Sequence, residues 1–272
     1  MTGTHHGGID FDWLLSNIEV GEVSHGVDEE SLGTVETFVL GPKASYAAEA
    51  YLLGLFQLYP TVYFHKTTRG AEKLFTEILA RIIELTQNNS VPETGLSDIH
   101  PLVRFVRHPE EIENILNLDD TVLWGALSLM IDAKDLVIAD YSKRLRDRKL
   151  FKCYDVIPMI TSRLSDDVSH GKHSEGIAVV LKKRLEDWIA NNKKHSPHIL
   201  LDFAKREPYK RFQDSKGPLN QILLNKGNGK LVDVATLSSV VAGIAPFVSL
   251  RVYARREDKT LKGISKPLSV RS

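Results

Sequence analysis

The chain has 272 residues, of which 42% are hydrophobic and 26% charged, and its 35 basic and 35 acidic residues give a formal net charge of zero. This composition is ordinary for a soluble globular protein and lacks the basic excess of a general nucleic-acid or membrane-surface binder. The single cysteine, Cys153, excludes an internal disulfide and a cysteine-rich zinc site, and no apolar run approaches the roughly 20 residues of a membrane span. Because the N-terminus carries acidic residues and no positive-then-apolar pattern, we expect a cytoplasmic location.

Hydrophobic periodicity and turn residues predict a mostly helical first part of the chain. The first predicted elements are a short helix over 9–18, a strand over 34–40 ended by Gly41 and Pro42, and a helix over 44–58 with Ser45 as its candidate cap and an interruption at Pro60. A long helix over 67–87 and a loop with Pro92, Gly95 and Pro101 follow. The remaining predicted elements of this part are helices over 110–116, 121–130 and 133–146, an extended segment over 150–156 and a helix over 176–191. The helix over 67–87 is the clearest, because apolar side chains recur along it at helical spacing: Leu74, Ile78, Ile82 and Leu85.

Beyond about residue 197 the pattern changes to short strands and turns. We predict strands over 198–203, 219–224 and 247–254, a hairpin turn over 226–230 that leads to a strand from Leu231, and a short helix over 234–241 capped by Asp233. The predicted fold is therefore mostly α-helical with a smaller C-terminal α/β lobe. Its predicted division is a helical body over 1–195, an α/β lobe over 196–258 and a flexible tail over 259–272.

One segment combines residues that suit a nucleotide pocket. Residues 58–69 read LYPTVYFHKTTR and follow an Ala/Leu-rich helix. An aromatic ring that stacks on a sugar or base, next to cations that hold phosphate, is what such a pocket needs. The same pattern also fits an ordinary buried helix with a solvated basic end, so the residues alone leave both interpretations open.

Tyr63, His65 and Lys66 after a long apolar helix, with Arg69 three residues beyond, resemble the HD-domain phosphohydrolases that hydrolyse deoxynucleoside triphosphates. Other segments match the same family in the same order: 3–15 (GTHHGGIDFDWLL), 148–152 (RKLFK), and 251–253 (RVY) followed by Arg255 and Arg256. The resemblance is strong around 63–69 and weak between 158 and 216. It implies an HD-phosphohydrolase-like helical body and a metal-assisted attack of water on phosphate, which releases nucleoside and triphosphate.

The residues that give this family its name are missing from the chain. The family's His…His-Asp…Asp set binds a divalent metal such as Mg or Mn, yet the chain contains no His-Asp dipeptide and its match begins just past the final aspartate. Met1 is therefore expected to be a start inside a longer family sequence. Without activated water or a Lewis acid, we expect no metal cofactor in this chain and no hydrolysis by it alone. Leu55 also stands where the family often has an arginine that contacts triphosphate.

The resemblance implies roles for seven residues. Tyr63 is expected to pack on the deoxyribose, where its ring leaves no room for a 2′-hydroxyl, and the neighbouring Tyr59 is a second substrate-binding candidate. The remaining five are expected to bind regulatory nucleotides: His65 and Lys66 at a subunit boundary, Arg148 and Lys152 as a basic pair for a guanine nucleotide, and Asp10 near a second effector. Relatives carry an arginine where this chain has Trp13, and the basic pair also fits a solvated strand edge.

Two histidine pairs, His170 with His173 and His195 with His198, have a spacing that zinc sites use. They lie in polar sequence without further ligands, so we interpret them as surface histidines. We expect deoxynucleoside triphosphates or a guanine nucleotide as ligands, a homo-oligomer, and neither a membrane nor a specific nucleic acid as partner. Two alternatives to the enzyme stay open: a non-catalytic nucleotide-binding, oligomerisation or regulatory module, and a helical interaction domain that shares only ancestry with the family.

Overall fold

The computed structural model describes residues 8, 10–27, 30–161, 172–192, 198–207, 209, 221–227 and 229–258. Within these ranges, no helix has both the length and the apolar character that crossing a membrane requires. The chain forms two compact units: unit 1 comprises Met1–His65, Ile157–Lys182 and Phe203–Leu250, and unit 2 comprises Lys66–Val156, Lys183–Asp202 and Arg251–Ser272. Each unit is thus assembled from three stretches of sequence, and the division predicted at residue 195 stays a prediction.

The described elements of unit 1 are α1 (Phe11–Ser16), β1 (Ile18–Val27), β2 (Glu30–Leu40), α2 (Ser45–Leu58), β5 (Leu223–Asn225), β6 (Leu231–Asp233), α10 (Val234–Leu237) and α11 (Ser239–Gly243). Those of unit 2 are α3 (Lys66–Gln87), α4 (Pro101–Arg107), α5 (Ile112–Leu116), α6 (Asp120–Met130), α7 (Leu136–Arg146) and β3 (Lys152–Asp155). The first unit boundary lies directly before α3, and the other four fall within α8 (Val156–Thr161), α9 (Lys172–Asn192), β4 (Leu200–Arg206) and β7 (Phe247–Ala254). The predicted mostly α-helical fold with a smaller strand-containing part is confirmed.

A long antiparallel hairpin of β1 and β2 dominates the sheet of unit 1, whose strand order is β1-β2-β5-β6. The second hairpin, β5 with β6, turns through Gly227 and Gly229 at positive φ values of 84° and 75°, a conformation that glycine adopts without strain. Beneath the sheet, Ala48 and Leu52 of α2 pack in one apolar cluster with side chains from β5, α10 and α11. The helix α2 therefore closes the core of unit 1.

The helix α2 ends at Leu58, and a π-helical turn over Tyr59–Tyr63 follows it. Pro60 has no N–H to donate and its ring crowds the preceding turn, so the α-helical ladder cannot continue through it. The interruption predicted at Pro60 is thereby confirmed. Ser45 is the first helical residue rather than a cap, and no side chain caps the N-terminus of α2.

In unit 2, α3 is the central helix. Leu74, Ile78 and Ile82 are at most 1% exposed and lie in the main apolar cluster with residues of α4, α6 and α7, so the predicted apolar stripe is confirmed. Near the start of the helix, a Cβ at Gly70 would lie 2.9 Å from a ring carbon of Tyr253, and only glycine permits this approach without displacement. The Tyr253 hydroxyl donates to the Lys66 carbonyl at 2.9 Å.

Several predicted boundaries were wrong for identifiable reasons. Pro101, taken as part of a loop, instead begins α4, because proline is favourable in the first turn of a helix, where its missing N–H costs nothing. The strand β1 was not predicted, since Gly21 and Gly26 interrupt its apolar alternation. The helix α8 was also missed, and the helix predicted over 234–241 is divided into α10 and α11, each with its own cap, Asp233 and Ser238.

Candidate functional site

A cavity of about 440 Å³ in unit 2 is lined by six cationic side chains and one acidic side chain. Its lining consists of Arg144, Arg148, Lys149, Leu150, Phe151, Lys152, Arg255, Arg256 and Glu257. We call this cavity the cationic pocket. Such a concentration of guanidinium and ammonium groups matches the dense negative charge of phosphate groups, which charge-assisted hydrogen bonds hold.

The C-terminus of α7 explains how cations adjacent in sequence come to line one cavity. The helix ends in a Schellman motif, in which the Lys149 N–H donates to the Arg144 carbonyl at 2.9 Å and the Arg148 N–H to the Leu145 carbonyl at 3.3 Å. Arg148 occupies the left-handed position of this motif, with φ of 55°, where glycine is usual. The chain therefore reverses sharply and carries Arg148 and Lys152 to the same cavity as Arg144.

The remaining cations arrive through strand pairing. β3 pairs antiparallel with β7, and the register places Lys152 opposite Ala254. Arg255 and Arg256, which directly follow β7, thus lie beside the start of β3. This register therefore places Lys152 and Arg255, which are about a hundred positions apart in sequence, in the lining of the same cavity.

Arg144 is fixed in the wall of the cationic pocket. Its Nε donates to Asp140 Oδ2 at 2.9 Å, one Nη donates to the Lys149 carbonyl at 3.2 Å, and its guanidinium carbon lies 4.6 Å from the centre of the Phe151 ring. Burial raises the pKa of the Asp140 carboxyl, but hydrogen bonds from Arg144 and Arg255 outweigh it and hold that pKa below its ordinary value. Asp140 is therefore a charged anchor behind the pocket at neutral pH.

Arg255 is held by two acceptors. Its Nη2 lies 3.0 Å from Asp140 Oδ2 and 3.0 Å from His198 Nε2. Burial first, and then the positive charge of Arg255, lower the pKa of His198, so the ring is neutral at pH 7 and Nε2 can accept. The other ring nitrogen, Nδ1, lies 3.4 Å from the Tyr141 hydroxyl.

This environment corrects the interpretation of His198 as a surface histidine. Its side chain is half-buried, and its ring centre lies 5.7 Å from that of Tyr141 and 6.4 Å from that of Phe151. Its sequence partner His195, together with His170 and the side chain of His173, lies outside the described residues. The sequence interpretation failed at His198 because its packing partners come from distant parts of the chain.

The structure brings the predicted pair Arg148 and Lys152 together in the cationic pocket. Both side chains are exposed, and neither forms an ion pair with another residue of the described part of the chain. Arg148 lies in the turn after α7 rather than on a strand, and the Lys152 ammonium lies 5.1 Å from the Tyr154 ring centre. A solvated strand edge therefore describes Lys152 alone and not the pair.

The two tyrosines predicted to bind substrate lie in unit 1, with ring centres 5.7 Å apart. Tyr63 is 53% exposed and presents its ring to solvent, whereas Tyr59 is only 9% exposed and accepts a hydrogen bond from Arg206 Nε at 3.2 Å. Tyr59 therefore packs behind Tyr63, and a direct contact of either ring with substrate stays a prediction.

The other predicted effector residues do not share one described site. Asp10 caps α1 by accepting from the Trp13 N–H at 2.9 Å, and His65 is an exposed residue at the end of the first stretch of unit 1. Lys66 begins α3 with an exposed side chain and is not among the residues that line the cationic pocket. Arg69, part of the same sequence motif, pairs with the buried Asp202 and so stabilises unit 2. Effector binding by Asp10, His65 and Lys66 stays a prediction.

The residues that sequence reasoning missed are Asp140, Arg144 and His198. The spacing of Asp140 and Arg144, four apart on one helix, is a sequence signal for an ion pair. Nothing in the local sequence links either residue to His198 or Arg255.

The described residues offer one candidate set of metal ligands. Within the described ranges, one group of His and carboxylate side chains comes close enough to share an ion: His108, Glu110 and Glu111, whose ligand atoms lie within 4.8 Å of one another. All three are exposed and come from one short stretch, and Glu111 already accepts from Asn114 at 2.9 Å. This donor set differs from the His…His-Asp…Asp set that the resemblance implies.

Residues 30–110 match the family model described as "HD associated region". The chain is 28% identical over 126 residues to the uncharacterized protein YwfO of Bacillus subtilis. The aligned region covers 45% of this chain and 28% of that protein.

Two solved structures share the fold. A phosphohydrolase from Bacteroides thetaiotaomicron superimposes with a TM-score of 0.54 at 18% identity, over 80% of this chain and 52% of its own. A hypothetical protein from Aquifex aeolicus superimposes with a TM-score of 0.57 at 18% identity, over 98% of this chain and 53% of its own. The chain thus spans about half the length of these structures. At 18% identity, these superpositions show a shared fold.

Proposed function

We propose that the chain binds the phosphate groups of a nucleotide in the cationic pocket, as the regulatory, nucleotide-binding part of an HD-type deoxynucleoside triphosphate phosphohydrolase. The observation that carries this proposal is the convergence of six cationic side chains on one cavity of about 440 Å³. A guanine nucleotide is the ligand that the family resemblance favours for the pair Arg148 and Lys152.

The charge distribution supports a polyphosphate rather than a single carboxylate. Asp140 neutralises part of the charge of Arg144 and Arg255 from behind, while four exposed cations face solvent: Arg148, Lys149, Lys152 and Arg256. Within the lining, only Glu257 opposes them. Since a triphosphate carries several negative charges along its length, it can engage several of these cations at once.

The chemistry of the lining also separates two kinds of contact. Arginine offers a planar fork that meets two phosphate oxygens, and lysine offers a compact point charge. With Arg148 in the turn after α7 and Lys152 at the start of β3, both kinds of contact are available at one end of the pocket. We therefore expect phosphate groups to be bound there, with Arg255 contributing from the residues that follow β7.

A second function concerns substrate recognition. The 53% exposure of the Tyr63 ring favours deoxyribose binding in unit 1, as the family resemblance implies. Hydrolysis would need a metal-ligand set that the described residues do not supply. We therefore propose that this chain contributes recognition and regulation, and that it does not hydrolyse nucleotides alone.

Calorimetric titration of the purified chain with GTP, dGTP and inorganic triphosphate tests the proposal. Arg148→Ala and Lys152→Ala should each weaken binding by roughly 10- to 150-fold, because a hydrogen bond to a charged group contributes about 1.5–3 kcal/mol. The matched controls are Arg104→Ala and Lys134→Ala, which change exposed cations outside the cationic pocket. Equal losses in controls and pocket variants, or no loss in the pocket variants despite wild-type binding, would place the site elsewhere.

A further inference from the structure

We propose that Asp140 and His198 are positioning residues, which together hold Arg255 in the orientation in which it meets phosphate in the cationic pocket. This inference rests on the proposed nucleotide binding. Neither residue is among those that line the cavity, so each would act through the arginine and not by touching the ligand.

The hydrogen-bond geometry of the Arg255 guanidinium supports this role. Arg255 Nη2 carries two N–H groups, and it has two acceptors at 3.0 Å, Asp140 Oδ2 and His198 Nε2. Both hydrogens of this nitrogen are therefore used within unit 2. The buried Nε has no partner in the described part of the chain, which leaves Nη1 as the donor available to a ligand in the cavity.

A freely rotating arginine loses side-chain entropy when it binds an anion. Two acceptors on one nitrogen restrict the guanidinium plane before the ligand arrives. Preorganisation of this kind raises affinity by reducing the ordering that binding requires. The contribution of His198 to binding, and the part of the Asp140 contribution that acts through Arg255, should therefore exist only while Arg255 is present.

His198 can accept a hydrogen bond only as a neutral ring. Acceptance at Nε2 requires the hydrogen on Nδ1, where the Tyr141 hydroxyl lies at 3.4 Å as its partner. The titratable and charged groups that face the ring are Asp140, Tyr141 and Arg144 on α7, and Arg255 and Asp258 after β7. Burial and the nearby guanidinium favour the neutral ring.

The two positioning residues differ in the number of cations that each one holds. Asp140 Oδ2 accepts from Arg144 Nε at 2.9 Å as well as from Arg255 Nη2, so it anchors two cations of the pocket. His198 contacts only the second of them by hydrogen bond among the described residues. Loss of Asp140 should therefore weaken binding even when Arg255 is absent, whereas loss of His198 should not.

A double-mutant cycle with inorganic triphosphate as the probe tests this directly on the full chain. His198→Phe keeps a ring against Tyr141 and Phe151 and should weaken binding about fivefold, the equivalent of one hydrogen bond of about 1 kcal/mol. The same substitution on an Arg255→Ala background should have no further effect, since coupled residues are non-additive. His198→Gln, whose amide oxygen can accept from Nη2, should restore most of the affinity.

A second measurement does not depend on the ligand. Histidine NMR should show the pKa of His198 rising in Arg255→Ala, because the positive charge beside it is removed. An unchanged pKa would mean that the contact is absent and the inference wrong.

If the wild type binds no triphosphate, both the proposed function and the positioning role fail. If it binds, but His198→Phe weakens binding equally with and without Arg255, only the positioning role fails.

Discussion

Arg148 should have opposite effects on stability and on binding, because its backbone conformation destabilises the fold and its side chain contributes to nucleotide binding. Its φ of 55° lies in the left-handed region, where an L-residue other than glycine is strained by about 1–2 kcal/mol. Arg148→Gly removes that strain while keeping the Schellman hydrogen bonds, which are made by the backbone. We expect the free energy of unfolding to rise by about 1 kcal/mol and the melting temperature by about 2 °C.

The same substitution should weaken nucleotide binding. Without the guanidinium, one charge-assisted contact is lost, and affinity for triphosphate should fall roughly 10- to 150-fold. Arg148→Ala is the matched control for strain: it should lose the same affinity without gaining stability, because alanine keeps a Cβ in the strained position. Lys152→Ala is the control for charge, since it removes a cation from the same cavity at an unstrained position.

Thermal unfolding and calorimetric titration of the four proteins separate these effects. The decisive comparison is between glycine and alanine at position 148, which differ by one methyl group. If the two variants melt at the same temperature, the turn is not strained and the reasoning is refuted. If both bind triphosphate as tightly as the wild type, the side chain does not contribute to the cationic pocket.

Three further predictions concern pH, activity and association. Since burial and Arg255 lower the pKa of His198, the unfolded chain takes up a proton on this ring at higher pH than the folded chain. The free energy of unfolding should therefore fall as pH decreases below about 6.5. In pH-dependent melting curves His198→Phe should flatten that fall and leave a residual slope from His100, whose pKa burial also lowers. Incubation with dGTP and Mn²⁺ or Mg²⁺ should release no nucleoside, and turnover of about 1 per second that survives further purification would contradict this. The helix α2 exposes three large apolar side chains: Tyr46 at 80%, Tyr51 at 40% and Leu53 at 38%. We therefore expect concentration-dependent association in sedimentation velocity, and Leu53→Glu should reduce it. A strictly monomeric protein that binds no hydrophobic dye would contradict this expectation.

Local signals in the sequence were sufficient for much of the fold. The period of Leu74, Ile78 and Ile82 identifies the buried face of α3, because the helix repeat brings these side chains to one side whatever packs against them. Asp233 caps α10 by accepting from the Ala235 N–H at 2.7 Å, and the strand over Phe247–Ala254 has the predicted bounds. Such features depend on residues within a few positions of one another.

Parts of the candidate site were also visible in the sequence. Arg148 and Lys152 are four residues apart, so any sharp turn between α7 and β3 keeps them close. The resemblance to a known family singled out this pair, although the left-handed turn that aims it was not foreseen. The strand β1 escaped prediction because its partner β2, and not its own alternation, makes it a strand.

The remainder of the cationic pocket was decided by tertiary structure alone. Arg255 meets Asp140 across 115 positions of sequence and His198 across 57. Periodicity and composition indicate which side of a segment is buried, but not which distant segment packs against it. The register of β3 against β7, which brings Arg255 to the pocket, is set by the packing of the whole unit. The same physics makes His198 a neutral acceptor: its pKa depends on burial and on a guanidinium that only the folded chain places beside it.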